Sequence, residues 1–410
     1  MKFRDYQTRI INEGTKIIQQ YELLYLSMEV RTGKTLTALG ICDKIGANRV
    51  LFLTKKKAIS SIESDYEMLN PNFDLEVINY ESAHKVNLYF HPDVIVADEA
   101  HSLGAFPKPS ARARRLKADL KTWGSKLILM SGTPTPESFS QMYHQVYGHK
   151  NNPFKDYVNF YRWADDYVNK KTIRYGIQTT TDYSYTKRSM VVDTMKPYTI
   201  SFTQEQAGFA STIDEEILYV DMKPNTYALC NKLKKDKVIE GKNEVILADT
   251  GVKVMQKLHQ MYSGTVIFES KNTMIIDRSK AEFIFRKFKK SKIGIFYKFK
   301  AELKLLKDVF GDNLTTDLDE FNTTNKNIAL QIVSGREGIS LRKAKYLVYY
   351  NIDFSATSYW QSRDRMTTKD RMYNKVYWVF SANGIEDKIY KAVNRKKDYT
   401  LKHFKKDFMI

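Results

Sequence analysis

Gly33-Lys34-Thr35 follows an apolar run at 23–26 across a short polar turn, and a helical pattern over 36–45 begins behind it. Strand, tight turn and helix N-terminus in that order make a phosphate cradle. The first helical turn leaves backbone N–H groups unpaired, and these point at the anion. In such a cradle Lys34 reaches the terminal phosphates and the Thr35 hydroxyl stands where Mg²⁺ is held. The loop departs from the general pattern, which puts glycine where Met28 stands. Taken alone, it reads equally as an ordinary helix N-terminus after a strand.

A second chemical group lies downstream. Val94-Ile-Val-Ala-Asp-Glu-Ala-His101 is an apolar strand that delivers Asp98 and Glu99 at its C-terminal end, where ligands gather in a parallel sheet. Asp98 there can hold Mg²⁺ through water, and Glu99 can orient and deprotonate a water that attacks a γ-phosphate. Leu129-Met-Ser-Gly-Thr-Pro134 ends another strand with small residues able to contact that pair.

The elements that must position these residues alternate in type. Strands are expected over 23–27, 50–54, 75–79, 94–97 and 127–131, with helices between them, as at 57–69 and 111–122. From 148 to 197 the pattern changes. Phe154, Tyr157, Phe160, Tyr161, Trp163 and Tyr167 recur at helical spacing, which favours a core-packed helix over a base-stacking platform. The polar, β-branched stretch 170–186, with Gly176 as its turn, reads as a hairpin. Together they read as an insertion on a first domain. A second alternating unit has strands at 217–220, 293–296, 328–333, 346–350 and 376–380, and helices at 280–289, 300–310 and 386–395.

Composition narrows the class. The chain has 410 residues, 42% hydrophobic and 28% charged, a globular balance that excludes a disordered chain. Cys42 and Cys230 are its two cysteines, too few for a disulfide framework or zinc knuckle, and read as buried thiols in a reducing compartment. The charged N-terminus lacks a signal-peptide core, and no apolar run is long enough to span a membrane. An intracellular protein is expected.

Net charge is +19, unevenly placed. Residues 1–250 hold 34 Lys and Arg against 30 Asp and Glu, whereas 251–410 hold 32 against 17. The basic second part suggests a polyanionic partner, most simply nucleic acid; the alternative is a lysine-rich soluble surface.

Taken in order, these motifs resemble superfamily 2 helicases, and in detail their Swi2/Snf2-like branch. The Gly-Lys-Thr loop, Asp98-Glu99-Ala100-His101 (a DEAH box) and Ser131-Gly132-Thr133-Pro134 resemble motifs I, II and III. Arg4-Asp-Tyr-Gln7 resembles the adenine-reading element. Val50-Leu-Phe-Leu-Thr54 with 55–57 resembles motif Ia, and Val77-Ile-Asn-Tyr-Glu81 the Ib strand. Leu258-His-Gln-Met-Tyr-Ser-Gly264 is similar to the segment before the second lobe's core. Ile293-Gly-Ile-Phe-Tyr297, Ser334-Gly-Arg-Glu-Gly-Ile-Ser-Leu341 and Gln361-Ser-Arg-Asp-Arg365 resemble motifs IV, V and VI. The strand 376–380 and Gly384-Ile-Glu386 are similar to the elements that close the lobe.

The resemblance implies an α/β fold of two tandem RecA-like domains, parallel sheets with flanking helices. An ATP cleft lies between them and a small insertion sits on the first. Boundaries follow at 1–205 and 206–410, with the insertion at about 148–197. It further implies a DNA-dependent ATPase, a helicase or translocase using ATP and Mg²⁺. ATP would be held by Arg4, Gln7, Arg31, Thr32, Gly33, Lys34 and Thr35, and Mg²⁺ by Thr35 and Asp98. Catalysis falls to Lys34, Asp98, Glu99, Gln361 and Arg365, the last reaching across as an arginine finger. His101, Ser131, Gly132, Thr133 and Gly338 would couple hydrolysis to motion. Thr54, Lys55, Tyr80, Ser334, Gly335, Arg336 and Ser340 would grip DNA phosphates.

Departures from the family pattern are specific. Arg31 stands where Snf2-like loops usually carry glycine, and Thr368 where motif VI carries a second arginine, with Lys369 and Arg371 nearby. Two other readings follow. One is a duplex translocase that remodels forks or branches without processive unwinding, favoured by compact size and by the lack of an evident strand-separating wedge, for which the hairpin at 170–186 is the only candidate. The other, motivated by Thr368, is a nucleotide-gated DNA-binding scaffold with weak turnover. DNA is preferred over RNA on the Snf2-like details, no membrane partner is expected, and replication or recombination proteins are natural associates. The compact chain suits a small helicase of the kind phages carry.

Overall fold

The computed structural model describes residues 2–87, 89–175, 178–208, 212–241, 244–335, 341–355, 358–359, 362 and 373–394. The chain forms two compact units, Met1–Phe209 and Ala210–Ile410.

The first unit is built on six parallel strands. They are β1 (Leu23–Met28), β2 (Arg49–Thr54), β3 (Asp74–Asn79), β4 (Val94–Ala97), β5 (Lys126–Met130) and, after the hairpin strands β6 (Lys171–Tyr175) and β7 (Gln178–Asp182), β8 (Thr199–Phe202). Their order is β3-β2-β4-β5-β1-β8. Every residue of β4 is buried, and so are all of β1 except Ser27. Such near-continuous apolar runs mark strands covered on both faces. The order sets β4, β5 and β1 side by side, so the chain leaves all three at the same edge.

Helices cover the faces: α1 (Asp5–Tyr21), α2 (Lys34–Lys44), α3 (Ile59–Leu69), α4 (Ala111–Trp123) and α5 (Gln141–Val146). The α1 helix presents Ile10, Ile11, Gly14 and Ile18 inward. Gly14 is needed there for close approach, since a Cβ would stand 2.6 Å from Ile41 Cδ1 of α2.

The region 148–197 adds α6 (Phe160–Tyr167), the β6–β7 hairpin and α7 (Arg188–Met195). Phe154, Phe160, Trp163 and Tyr167 are buried in the same cluster as Tyr25, Leu127 and Leu129 of the sheet. Trp163 stacks on Tyr167 with centroids 5.0 Å apart, while Tyr161 faces outward, 45% exposed. The aromatic spacing is therefore that of a core helix. The chain then returns to the sheet as β8, a strand of four residues absent from the sequence reading.

The second unit repeats the plan. Its strands are β9 (Thr212–Val220), the short hairpins β10 (Val238–Glu240) with β11 (Val245–Leu247) and β12 (Thr265–Ile267) with β13 (Thr273–Ile275), then β14 (Ile293–Tyr297), β15 (Leu314–Thr315), β16 (Asn327–Gln331), β17 (Tyr346–Tyr349) and β18 (Tyr373–Ser381). The main sheet is parallel, in the order β15-β16-β14-β17-β18-β9. The strand expected over 328–333 ends at Gln331, and Ile332–Gly335 turns into a helix. There Ile332 stays buried and Val333 emerges, 48% exposed. Two six-stranded parallel sheets with flanking helices make this an α/β chain of two similarly built units. Among the described residues no helix is long and apolar enough to cross a membrane.

Candidate active site

The phosphate loop is shaped by its neighbours. Met28 is the last residue of β1 and fully buried beside Leu24 and Leu26. The position that the general pattern gives to glycine is thus strand here, which is why a large apolar side chain fits. Arg31 adopts φ 64° and Gly33 φ 78°, both left-handed. The cost of holding a residue with a Cβ that way is about 1–2 kcal/mol, and it accounts for glycine being usual where Arg31 stands. Thr32 is fully buried, its hydroxyl donating to the Glu29 carbonyl at 2.7 Å. Gly33 then caps α2, and the Lys34 ammonium donates to the Glu29 carbonyl at 3.2 Å.

The start of α1 is fastened to this loop. The Tyr6 hydroxyl donates to the Thr32 carbonyl at 3.2 Å, and Gln7 Nε2 to the Gly33 carbonyl at 3.4 Å. Gln7 Oε1 accepts from the Arg4 N–H at 3.0 Å. Arg4, Gln7, Arg31, Thr32, Gly33, Lys34 and Thr35 are in this way gathered on the loop and the helix start beside it. Gly33→Ala is expected to lower stability by about 1–2 kcal/mol through the left-handed φ. Its Cβ would also stand 2.6 Å from Gln7 Nε2 and displace that contact. Thermal denaturation measures the first effect; an unchanged melting temperature would contradict it.

At the neighbouring strand end, Asp98 is held on several sides. Its backbone N–H donates to the Leu53 carbonyl, Thr54 Oγ1 donates to its carboxylate at 3.0 Å, and the Tyr80 hydroxyl to its carbonyl at 2.5 Å. Glu99 sits at φ 48°, ψ 47°, a sparsely populated conformation for a residue with a side chain, of the kind that clusters at working sites.

The two carboxylates are driven apart in acidity. Burial and the adjacent Glu99 charge push the Asp98 carboxyl up to about 6, against the pull of Lys34. Burial works on Glu99 in the same sense, but the hydrogen bond and charge of His101, with Lys34 and Lys55, more than offset it. Glu99 is held well below the usual carboxylate range. Burial and neighbouring charge thus push the two adjacent carboxyls in opposite directions.

His101 Nδ1 lies 3.2 Å from Glu99 Oε2 and 3.1 Å from Ser131 Oγ. Ser131 is fully buried and accepts from the Thr133 N–H at 3.1 Å. Gly132 packs against the phosphate loop: a Cβ there would stand 3.4 Å from the Met28 carbonyl and 3.6 Å from Lys34 Nζ. The loop after β1, the acids after β4 and the small residues after β5 therefore meet. Beyond them, Tyr25 donates to Gln145 Oε1 at 2.6 Å, and Gln145 Nε2 donates to the Pro134 carbonyl at 2.8 Å. Gln145 went unread in the sequence because its partners are remote; Tyr25 is 120 residues away.

Thr54 and Tyr80, expected among the phosphate grips, have their hydroxyls engaged within the site. Both are buried, and their hydroxyls face inward to Asp98. A strand's last residue points its side chain at the neighbouring strand's carboxylate when that acid lies at the same sheet edge. Lys55 remains half-buried at the end of β2. Ser334 and Gly335 close the helix after β16. Arg336, Gly338, Ser340, Gln361, Arg365, Thr368, Lys369 and Arg371 lie outside the described residues.

The donor set fits Mg²⁺. A hydroxyl in the first turn of α2 and a carboxylate that accepts hydrogen bonds from Thr54 Oγ1 and the Glu99 N–H are hard oxygen ligands, and this ion takes few of them from protein. Among the described residues no group of three or more His, Cys, Asp or Glu stands together as a metal site.

No protein family and no curated protein matches the chain. Similar solved structures include a Sulfolobus solfataricus SWI2/SNF2 ATPase core in complex with dsDNA, at 14% identity and TM-score 0.43, covering 96% of this chain and 91% of that one. The Sulfolobus solfataricus SWI2/SNF2 ATPase core domain is similar at 14% identity and TM-score 0.44, covering 100% and 91%. Identity and superposition are both low, so the chemistry rests on this chain's own residues.

Proposed function

We propose that the chain is a DNA-dependent ATPase, a Swi2/Snf2-like translocase of superfamily 2 that couples ATP hydrolysis to movement along DNA and to its unwinding or remodelling. The observation that carries hydrolysis is the meeting of Lys34, the Asp98–Glu99 pair and Ser131 at adjacent strand ends. Lys34 and the N–H groups at the start of α2 bind the phosphates, while Arg4 and Gln7 flank the base. Thr35 and Asp98 hold Mg²⁺, which when bound neutralises phosphate charge. Glu99 accepts the proton of the attacking water, and His101 orients Glu99 while linking it to Ser131. The uneven charge, with 32 Lys and Arg against 17 acids over 251–410, supports a polyanion as the activating partner.

Binding through phosphates has a measurable signature. With about 5 contacts, log K should fall against log salt with a slope of about −3.5 to −4.5, depending on strandedness, and vary little with base sequence. A flat salt response or a sharp sequence preference would remove DNA from the proposal. Strand-displacement assays on duplexes, forks and four-way junctions separate unwinding from remodelling.

A further inference from the structure

The exposed flank of α4 carries charge out of proportion to its surroundings. Residues 108–126 hold seven Lys and Arg against one acid, Asp119. That acid is buried and bound to Arg115 at 2.9 Å. The segment's balance of +6 exceeds the +4 of the whole of residues 1–250. Ala113, Leu116 and Leu120 face the core, and one step around the helix Arg114, Lys117 and Lys121 are all exposed. Their spacing of three and four residues aligns them in a stripe about 10 Å long. Like charges at those spacings repel and work against the helix. An anionic partner relieves that repulsion.

A different face of the same helix reaches toward the site. Arg112, in the first turn of α4, lays its guanidinium 5.2 Å over the Tyr80 ring and pairs with Glu81. Tyr80 in turn supports Asp98. The Lys117 ammonium stands 4.6 Å over the Tyr147 ring, which fixes the middle of the stripe against the α5 end without neutralising it. The electrostatics suit a regular polyanion rather than one small anion: the cations are spread along the helix axis.

We infer that Arg114, Lys117 and Lys121 form a phosphate track for duplex DNA along the side of the first unit, additional to the grips at the strand ends. The inference rests on the reading of the chain as a DNA-binding ATPase. Such contacts position the duplex and carry no sequence information.

The test is the binding of a random-sequence blunt duplex by the full chain across a salt series, without nucleotide. The variant is Arg114→Ala/Lys117→Ala/Lys121→Ala. Alanine favours the helix, so α4 should persist, and a melting curve checks it. Loss of three phosphate contacts should make the log–log slope about 2.7 less steep and weaken binding at low salt. DNA-free ATPase should stay at the wild-type level, since none of the three touches the site. Lys117→Arg/Lys121→Arg should keep the wild-type slope. A triple-alanine variant with wild-type slope and affinity overturns the track and leaves the ATPase reading standing. A flat salt response in the wild type itself overturns DNA binding, and the track with it.

Discussion

Glu99→Gln is expected to bind nucleotide and DNA nearly as the wild type does and to lose turnover by about 10²–10⁴-fold, the usual worth of a positioned general base. Glutamine keeps the shape and a carbonyl acceptor facing His101, but it accepts no proton from water. Its neutrality has a second consequence. The Glu99 charge is one of the forces raising the Asp98 carboxyl, so removing it lets Asp98 ionise more readily. Retention of Mg²⁺ and nucleotide should hold while chemistry stops. Titration of nucleotide binding beside single-turnover hydrolysis measures both halves. Hydrolysis at the wild-type rate in this variant would falsify the assignment of the base.

Arg365→Ala is expected to have the larger effect. An arginine finger is typically worth roughly 10³–10⁵ in rate, because it meets charge that develops only in the transition state. Nucleotide binding should be nearly intact and turnover strongly reduced. The assignment comes from the resemblance of Gln361-Ser-Arg-Asp-Arg365 to motif VI, and Thr368 stands where a second arginine is usual. Thr368→Arg is expected to raise basal turnover if that place is vacant. If Lys369 or Arg371 fills it, alanine at that residue should fall toward the Arg365→Ala level; Lys lacks the fork geometry of Arg. A structural arginine behaves differently: its replacement lowers the melting temperature and leaves turnover per folded molecule unchanged.

How far the site was legible follows from where its information lies. The phosphate loop and the acids of β4 declare themselves locally, since an apolar run followed by Gly-Lys-Thr or Asp-Glu needs only strand periodicity to be placed. The interior of β1 and β4 reads as strand for the same reason. The inward turn of the Thr54 and Tyr80 hydroxyls was not legible. It depends on β2 pairing with β4 so that Leu53 stands opposite Ala97, a register no local pattern specifies. The short β8 was missed because four residues, Thr199–Phe202, carry too little periodicity, and its place beside β1 is set by a partner some 170 residues away. The α1 helix carries a local signal of its own, with Ile10, Ile11 and Ile18 on one face. The aromatic stretch is legible as core packing because its spacing is helical, and its rings join the cluster under the sheet.

Phosphate release from ATP by the purified full chain, with Mg²⁺ and with or without DNA, tests the central claim most directly. The expected result is Mg²⁺-dependent release that DNA accelerates, with Glu99→Gln near background under both conditions. Release that is low, unaffected by DNA and equal in wild type and Glu99→Gln would contradict it, and would leave a nucleotide-gated binding scaffold in its place.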